Sequence, residues 1–155
     1  MAETIADSLA NVLEIHEGRI CAFDLPFVKG QEAGAFKVSQ VCEAFECGAI
    51  QNPANLKAQI EGCIVMGLGG ALREEMRFKD GRMLNAKFSQ YHVPRFKDVP
   101  EIETVLVNRP DLASVGAGET PIIGIAPAVA NALYNAAQTR IRSLPIRDPR
   151  FRAAG

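Results

Sequence analysis

The chain has little net charge and few of the side chains that bind metals. Its 155 residues carry 17 Lys and Arg against 18 Asp and Glu, giving a formal net charge of −1. A balance this close to neutral argues against a nucleic-acid or anionic-membrane partner held by bulk charge. The two histidines, His16 and His92, lie far apart and show no zinc-type spacing. None of the four cysteines, Cys21, Cys42, Cys47 and Cys63, forms a Cys-x-x-Cys pair. Cys42-x4-Cys47 opens like a plant-type iron–sulfur run, but Ile50 stands where the next cysteine is needed. Reduced thiols in a strand and a helix are the better reading. No apolar run has the length of a transmembrane helix. The opening MAETIADSLANVLEIHEG has acidic residues where a signal peptide needs a basic start, so the default compartment is the cytoplasm.

Several nucleotide and nucleophile motifs are missing as well. Gly67-x-Gly69 is followed by Leu72 where a dinucleotide loop needs its third glycine, and these glycines fall late in a helix. There is no Gly-Lys-Ser/Thr phosphate loop and no Gly-x-Ser-x-Gly elbow. Nothing in the spacing of Ser114 and His92 supports a triad. The chain has no internal repeat and no low-complexity block.

What is present is the composition of a soluble globular protein, 48% hydrophobic and 23% charged. A single domain of this size buries roughly 70% of the surface of its unfolded chain. Residues 1–18 read as a weak helix or a loosely held lead-in, and 19–35 as an irregular or exposed segment around a short strand. Phe36 to Phe45 alternates as a strand, with Phe36, Val38 and Gln40 on one face and Val41 near the sheet core. Asn52-Pro53 is a helix start, because Asn accepts a bond from an orphan amide and Pro suits the first helical position. The helix is expected over 53–75, with Leu56, Ile60, Cys63, Ile64, Leu68, Ala71 and Leu72 as its apolar stripe. Gly62, Gly67, Gly69 and Gly70 interrupt it, which predicts close approach by another backbone or a ligand, or tight helix-on-sheet packing. Asp80-Gly81 predicts a hairpin turn; "NAKFSQYHVPRF" reads as a strand ended by Pro94, and 101–108 as an alternating strand. A second helix carries Ala126, Val129, Ala130, Leu133 and Ala137 on one side and starts near Pro121 or near Pro127. "IRSLPI" reads as a closing strand or extended arm, and the basic tail as exposed. The fold class is α+β, a mixed sheet packed against two main helices.

Two polar residues stand out. Glu119 lies in "SVGAGETPIIG", at the expected positive end of the second helix, where the dipole favours a carboxylate. It is either a general base, if burial lifts its pKa enough, or a charge that only stabilises the helix. Gln59, on the edge of the first helix's apolar stripe, is either a site residue or a solvated glutamine. Arg140 and Arg142 follow the second helix and suit either an anion or plain solvation.

Three stretches then match a known pattern in order and spacing. They are "EAFECGAIQNPANLKAQIEGCIVMGLGGALREE", "FSQYHVPRFKDVPEIETVLV" and "GAGETPIIGIAPAVANALYNAAQTRIRSLPI". Together they resemble the C-terminal portion of the large molybdopterin-binding subunit of the molybdenum hydroxylases, the xanthine dehydrogenase and aldehyde oxidoreductase family. The isoquinoline 1-oxidoreductase β-subunit type is the branch most resembled. The resemblance covers residues 38–147, leaving 1–37 as a poorly matched lead-in and 148–155 as a tail. It implies that Glu119 is the base beside molybdenum, that Gln59 contacts the pterin, and that Gly118 holds the loop close to the metal site. It also implies hydroxylation of an N-heterocycle or aldehyde with water-derived oxygen. The molybdenum–molybdopterin cofactor would be shared with an upstream cofactor-binding chain, with 2Fe–2S clusters on a separate iron–sulfur subunit. The family's subunit is several times longer, so the alternative is a truncated, non-catalytic structural or assembly module that keeps the fold.

Overall fold

A computed structural model describes residues 19–20, 35–146 and 152–153 of the chain. The expectations for residues 1–18 and most of 19–34 lie outside the described residues, as does most of the tail. Short strands β1 (Arg19–Ile20) and β2 (Ala35–Phe36) precede strand β3 (Gln40–Glu46). Helix α1 (Pro53–Leu72) follows, then the hairpin strands β4 (Phe78–Lys79) and β5 (Arg82–Met83), strand β6 (Glu101–Val107), helix α2 (Ile125–Ala137) and strand β7 (Arg152–Ala153). The main sheet has the order β1-β3-β6. β1 is antiparallel to β3, and β6 is parallel to it, so the sheet is mixed as expected. A parallel neighbour needs a long crossover, which α1 and the segment after it provide.

The start of α1 follows the sequence signal. Asn52 Oδ1 accepts the Asn55 amide at 3.0 Å, and Pro53 occupies the first turn. The helix stops at Leu72 rather than 75, where Arg73 N–H closes onto the Gly69 carbonyl. Its stripe of Leu56, Ile60, Cys63, Ile64, Leu68 and Ala71 is buried. Leu56, Ile60, Ile64 and Leu68 meet Val41 and Phe45 of β3 and Ile125, Val129 and Leu133 of α2 in one core. Each large aliphatic side chain buried there contributes on the order of 1.5–3 kcal/mol. Two of the four helix glycines sit in tight packing. A Cβ at Gly67 would lie 2.7 Å from Ile125 Cβ, and one at Gly69 would lie 2.9 Å from Pro94 Cδ. Gly62 and Gly70 face open space instead.

The strand expected from Phe36 is broken: residues 37–39 are irregular, and the long strand begins at Gln40. The Asp80-Gly81 hairpin forms with both φ angles positive, 50° and 72°, as a type I′ turn requires. "NAKFSQYHVPRF" is not a strand. It contains the 3-10 turn Phe88–Gln90, and a second one, Phe96–Asp98, follows from its last residue. Side chains reach back to the backbone there: Gln90 accepts the Lys87 amide at 3.3 Å, and Asp98 accepts the Arg95 amide at 3.0 Å. Such local bonds compete with a strand ladder. "IRSLPI" is also not a strand; it is tied down by Ile146 N–H donating to the Ala71 carbonyl at 2.7 Å. From the tail, β7 pairs in parallel with β2.

Candidate active site

The loop Asp111–Glu119 lies between β6 and α2, and a glycine in the bend just after β3 seats it. Gly48 has φ +76°, and a Cβ there would fall 2.1 Å from the Ala113 carbonyl oxygen. No side chain fits this approach. Two backbone bonds secure the seat, Ala49 N–H to the Leu112 carbonyl at 3.2 Å and Val115 N–H to the Cys47 carbonyl at 3.1 Å. The loop then enters a 3-10 turn, Thr120–Gly124, that leads into α2. Of the two expected helix starts, the turn takes Pro121 near its beginning. Pro127 falls in the first turn of α2, where its missing N–H costs no helical bond.

Gln59 and Cys63, one helical turn apart on α1, converge on this loop. The Gln59 side-chain amide donates to the Gly118 carbonyl, and Cys63 Sγ lies 3.6 Å from the same oxygen. Gln59 Nε2 also lies 3.7 Å from Cys63 Sγ. Gln59 and Gly118, two of the three residues singled out in the sequence, are therefore in direct contact, and Glu119 is the next residue. Glu119 is exposed and stands at the head of the 3-10 turn, with no side-chain capping bond. The expected helix dipole at this point is that of a 3-10 turn, with the α-helix beginning six residues later. Arg140 is engaged elsewhere, bonded to Asn131 Oδ1 at 3.0 Å and stacked 3.5 Å from the Tyr134 ring centroid. Arg142 and His92 are exposed.

Sequence reasoning missed two members of this neighbourhood. The first is Cys63, which its helical spacing assigns to the apolar stripe. Burial, then the Glu43 and Glu119 carboxyls, hold its thiol above the ordinary value, while the Ile122 amide and Gln59 pull the other way. The signal was the i, i+4 spacing from Gln59. The second is Glu43, fully buried on β3 between Val41 and Phe45. Burial pushes its carboxyl up to about 8. The signal was an acidic residue at an inward position of an alternating strand.

Two clefts flank the loop. One, of about 300 Å³, is lined by Gln51, Asn55, Gln59, Ser114 and Gly116. The other, of about 610 Å³, is lined by Phe45, Glu46, Leu112, Val115 and Thr120. A molybdopterin cofactor-binding domain matches residues 30–100, which contain β3 and Gln59-bearing α1. The aldehyde oxidoreductase molybdenum-binding subunit PaoC of Escherichia coli K12 is 33% identical over 120 residues, 73% of this chain and 16% of that one. The isoquinoline 1-oxidoreductase subunit beta of Brevundimonas diminuta is 36% identical over 110 residues, 71% of this chain and 14% of that one.

The chain belongs to the molybdenum hydroxylase family.

The solved quinoline 2-oxidoreductase of Pseudomonas putida 86 agrees in fold, with a TM-score of 0.62 at 25% identity over 72% of this chain and 15% of that one. Its likeness supports the α+β reading of this molybdenum hydroxylase segment. The chain spans about one sixth of the length of the first curated relative, 16% of it. The residues at the loop suit the organic part of a molybdopterin. Gln51, Asn55 and Gln59 offer amide donors and acceptors, and a Cβ added at Gly116 or Gly118 meets nothing within 4 Å. Among the described residues no group of three or more His, Cys, Asp and Glu is placed to hold a metal ion.

Proposed function

We propose that this chain supplies the proton-accepting edge of a molybdenum hydroxylase, and that the assembled enzyme hydroxylates an N-heterocycle or an aldehyde with oxygen derived from water. The observation that carries the reading is the bond from Gln59 to the Gly118 carbonyl. It joins the pterin-contacting helix of the resemblance to the loop that presents Glu119. Bound molybdopterin would supply the redox chemistry. The chain's own residues supply position and proton transfer. Gln59, with its amide N–H spent on Gly118, keeps its carbonyl oxygen for a hydrogen-bond donor of the pterin. Gly118 keeps the loop free of side-chain bulk beside the cofactor. Glu119 accepts a proton at its carboxylate from the water-derived oxygen. That carboxylate is exposed, and an upstream cofactor-binding chain would cover it and exclude water. The partners of this reading are that upstream chain and a separate iron–sulfur subunit with 2Fe–2S clusters, acting in the cytoplasm.

A second reading, a non-catalytic structural or assembly module, draws on a different observation: Phe88 and Phe96 are 98% and 100% exposed. Co-expression with the neighbouring cofactor-binding and iron–sulfur chains separates the two. The enzyme reading expects a complex with molybdenum in proportion to this chain and oxidation of heterocycles or aldehydes. A stable complex without molybdenum and without turnover favours the module.

A further inference from the structure

Glu119 is exposed, and its side chain makes no capping bond to the turn it heads. Gly118 before it has no side chain to pack. The direction of the Glu119 carboxylate is set by the peptide units on either side of it, and both are bonded to one sulfur atom. On the near side, Cys63 Sγ lies 3.6 Å from the Gly118 carbonyl oxygen. On the far side, the Ile122 amide bonds the same sulfur, and it also donates to the Glu119 carbonyl at 3.1 Å. The Gln59 amide completes the junction: it donates to the Gly118 carbonyl and lies 3.7 Å from the sulfur. A carbonyl oxygen has two lone pairs, so it can take the Gln59 N–H and the Cys63 S–H together. The sulfur has lone pairs left for the Ile122 amide.

The sulfur is itself firmly rooted. Cys63 is 2% exposed and stands on the buried stripe of α1 with Ile60 and Ile64, both fully buried. Burial and the Glu43 and Glu119 carboxyls hold the thiol above its ordinary value, so it keeps the proton that it donates. We propose that Cys63 is a positioning residue for Glu119: its thiol bridges the Gly118 carbonyl and the Ile122 amide, so that helix α1 carries the peptide units on both sides of the carboxylate. The consequence for turnover rests on the reading of Glu119 as the base; the bridge itself does not.

A thiol is a weak donor and acceptor, so each bond to the sulfur is small by itself. Their common anchor is what matters, because a misplacement of about 1 Å can cost on the order of 10²-fold in rate. A cysteine that only filled the core would behave differently. Alanine would serve such a site at least as well as serine, whose hydroxyl costs free energy when buried without a partner. A polar bridge reverses that order, since serine keeps one donor and an acceptor where alanine has neither.

The test is hydrogen–deuterium exchange of the purified full chain, comparing wild type with Cys63→Ala and Cys63→Ser. Opening of residues 118–122 should rise about two- to tenfold in Cys63→Ala, the range for losing a hydrogen bond of ordinary net strength. Cys63→Ser should bring it back to within about twofold of wild type, with β3 and β6 unchanged in both variants. Serine opening as far as alanine, or a rise shared evenly with β3 and β6, would mean packing alone and would overturn the bridge. If Cys63→Ala does not fold, the S–H stretching band of the wild-type chain decides, assigned by its loss in the Raman spectrum of Cys63→Ser. A band below the frequency of an unbonded thiol supports the proposal, and one at that frequency overturns it. The expected exchange pattern combined with full turnover in Glu119→Gln would refute the assignment of the base and leave the bridge standing.

Discussion

The loop at 111–119 and the arm at 76–99 both leave the core and both stand exposed, yet they are built in opposite ways. The loop is stripped of bulk and held from below. Gly48 admits its backbone, Gln59 and Cys63 grip the Gly118 carbonyl, and open space surrounds Gly116 and Gly118. The arm is held by its own backbone bonds and displays bulk. Buried Asn85 fixes its foot, accepting the Arg77 amide at 2.7 Å and donating to the Glu75 carbonyl at 2.6 Å. Tyr91 donates to Glu74 at 2.7 Å, which keeps the phenol above its ordinary value. On that frame Phe78, Phe88 and Phe96 are 75%, 98% and 100% exposed. An ordered frame that presents large apolar side chains suits a protein surface, whereas a bare polar backbone suits a small ligand. Under the proposed function, the arm would be the surface that assembles and the loop the surface that reacts.

The largest expected effect tests the loop. In the reconstituted complex, Glu119→Gln should lower turnover by roughly 10²–10⁴-fold while leaving the fold and the molybdenum content unchanged. Unchanged turnover would remove chemistry from the loop side of the contrast. Next, Gly48→Ala should destabilise the chain by about 2–4 kcal/mol, since the new Cβ meets a carbonyl and the backbone is left-handed. Denaturant unfolding reads this, and a change under about 0.5 kcal/mol would mean that the loop is not seated on Gly48. Asn85→Ala should cost about 1–3 kcal/mol through its unpaired backbone groups, with faster proteolysis confined to the arm. The smallest change in stability belongs to the double variant Phe88→Ser, Phe96→Ser, within about 0.5 kcal/mol for this chain. Its effect should appear in assembly, as weaker pairing with the cofactor-binding partner by sedimentation. Equal pairing would erase the arm's half of the comparison.

What the sequence disclosed followed from how local each signal was. Asn52-Pro53, Asp80-Gly81 and the alternation of 101–107 depend on neighbours a few residues away, and all three appear as expected. The first and third resemblance stretches assign Gln59 and Glu119 to one cofactor, because a family pattern carries long-range information that propensity lacks. The apolar residues of 85–96 mimic a strand, while the capping side chains of Gln90 and, just beyond, Asp98 turn the chain into two 3-10 turns. Glu43 was hidden in a different way. A buried acid at an inward strand position violates the pattern, and alternation alone gives no reason to expect one. Cys63 was visible as a core residue, but its contact with a loop 55 residues away depends on how the chain closes.

That thiol has a practical meaning. Cys63 is only 2% exposed and sits under the Gly118 carbonyl, so a bulky alkylating agent must wait for the backbone above to lift before it can react. The rate of its modification therefore times how often that backbone lifts away from the thiol.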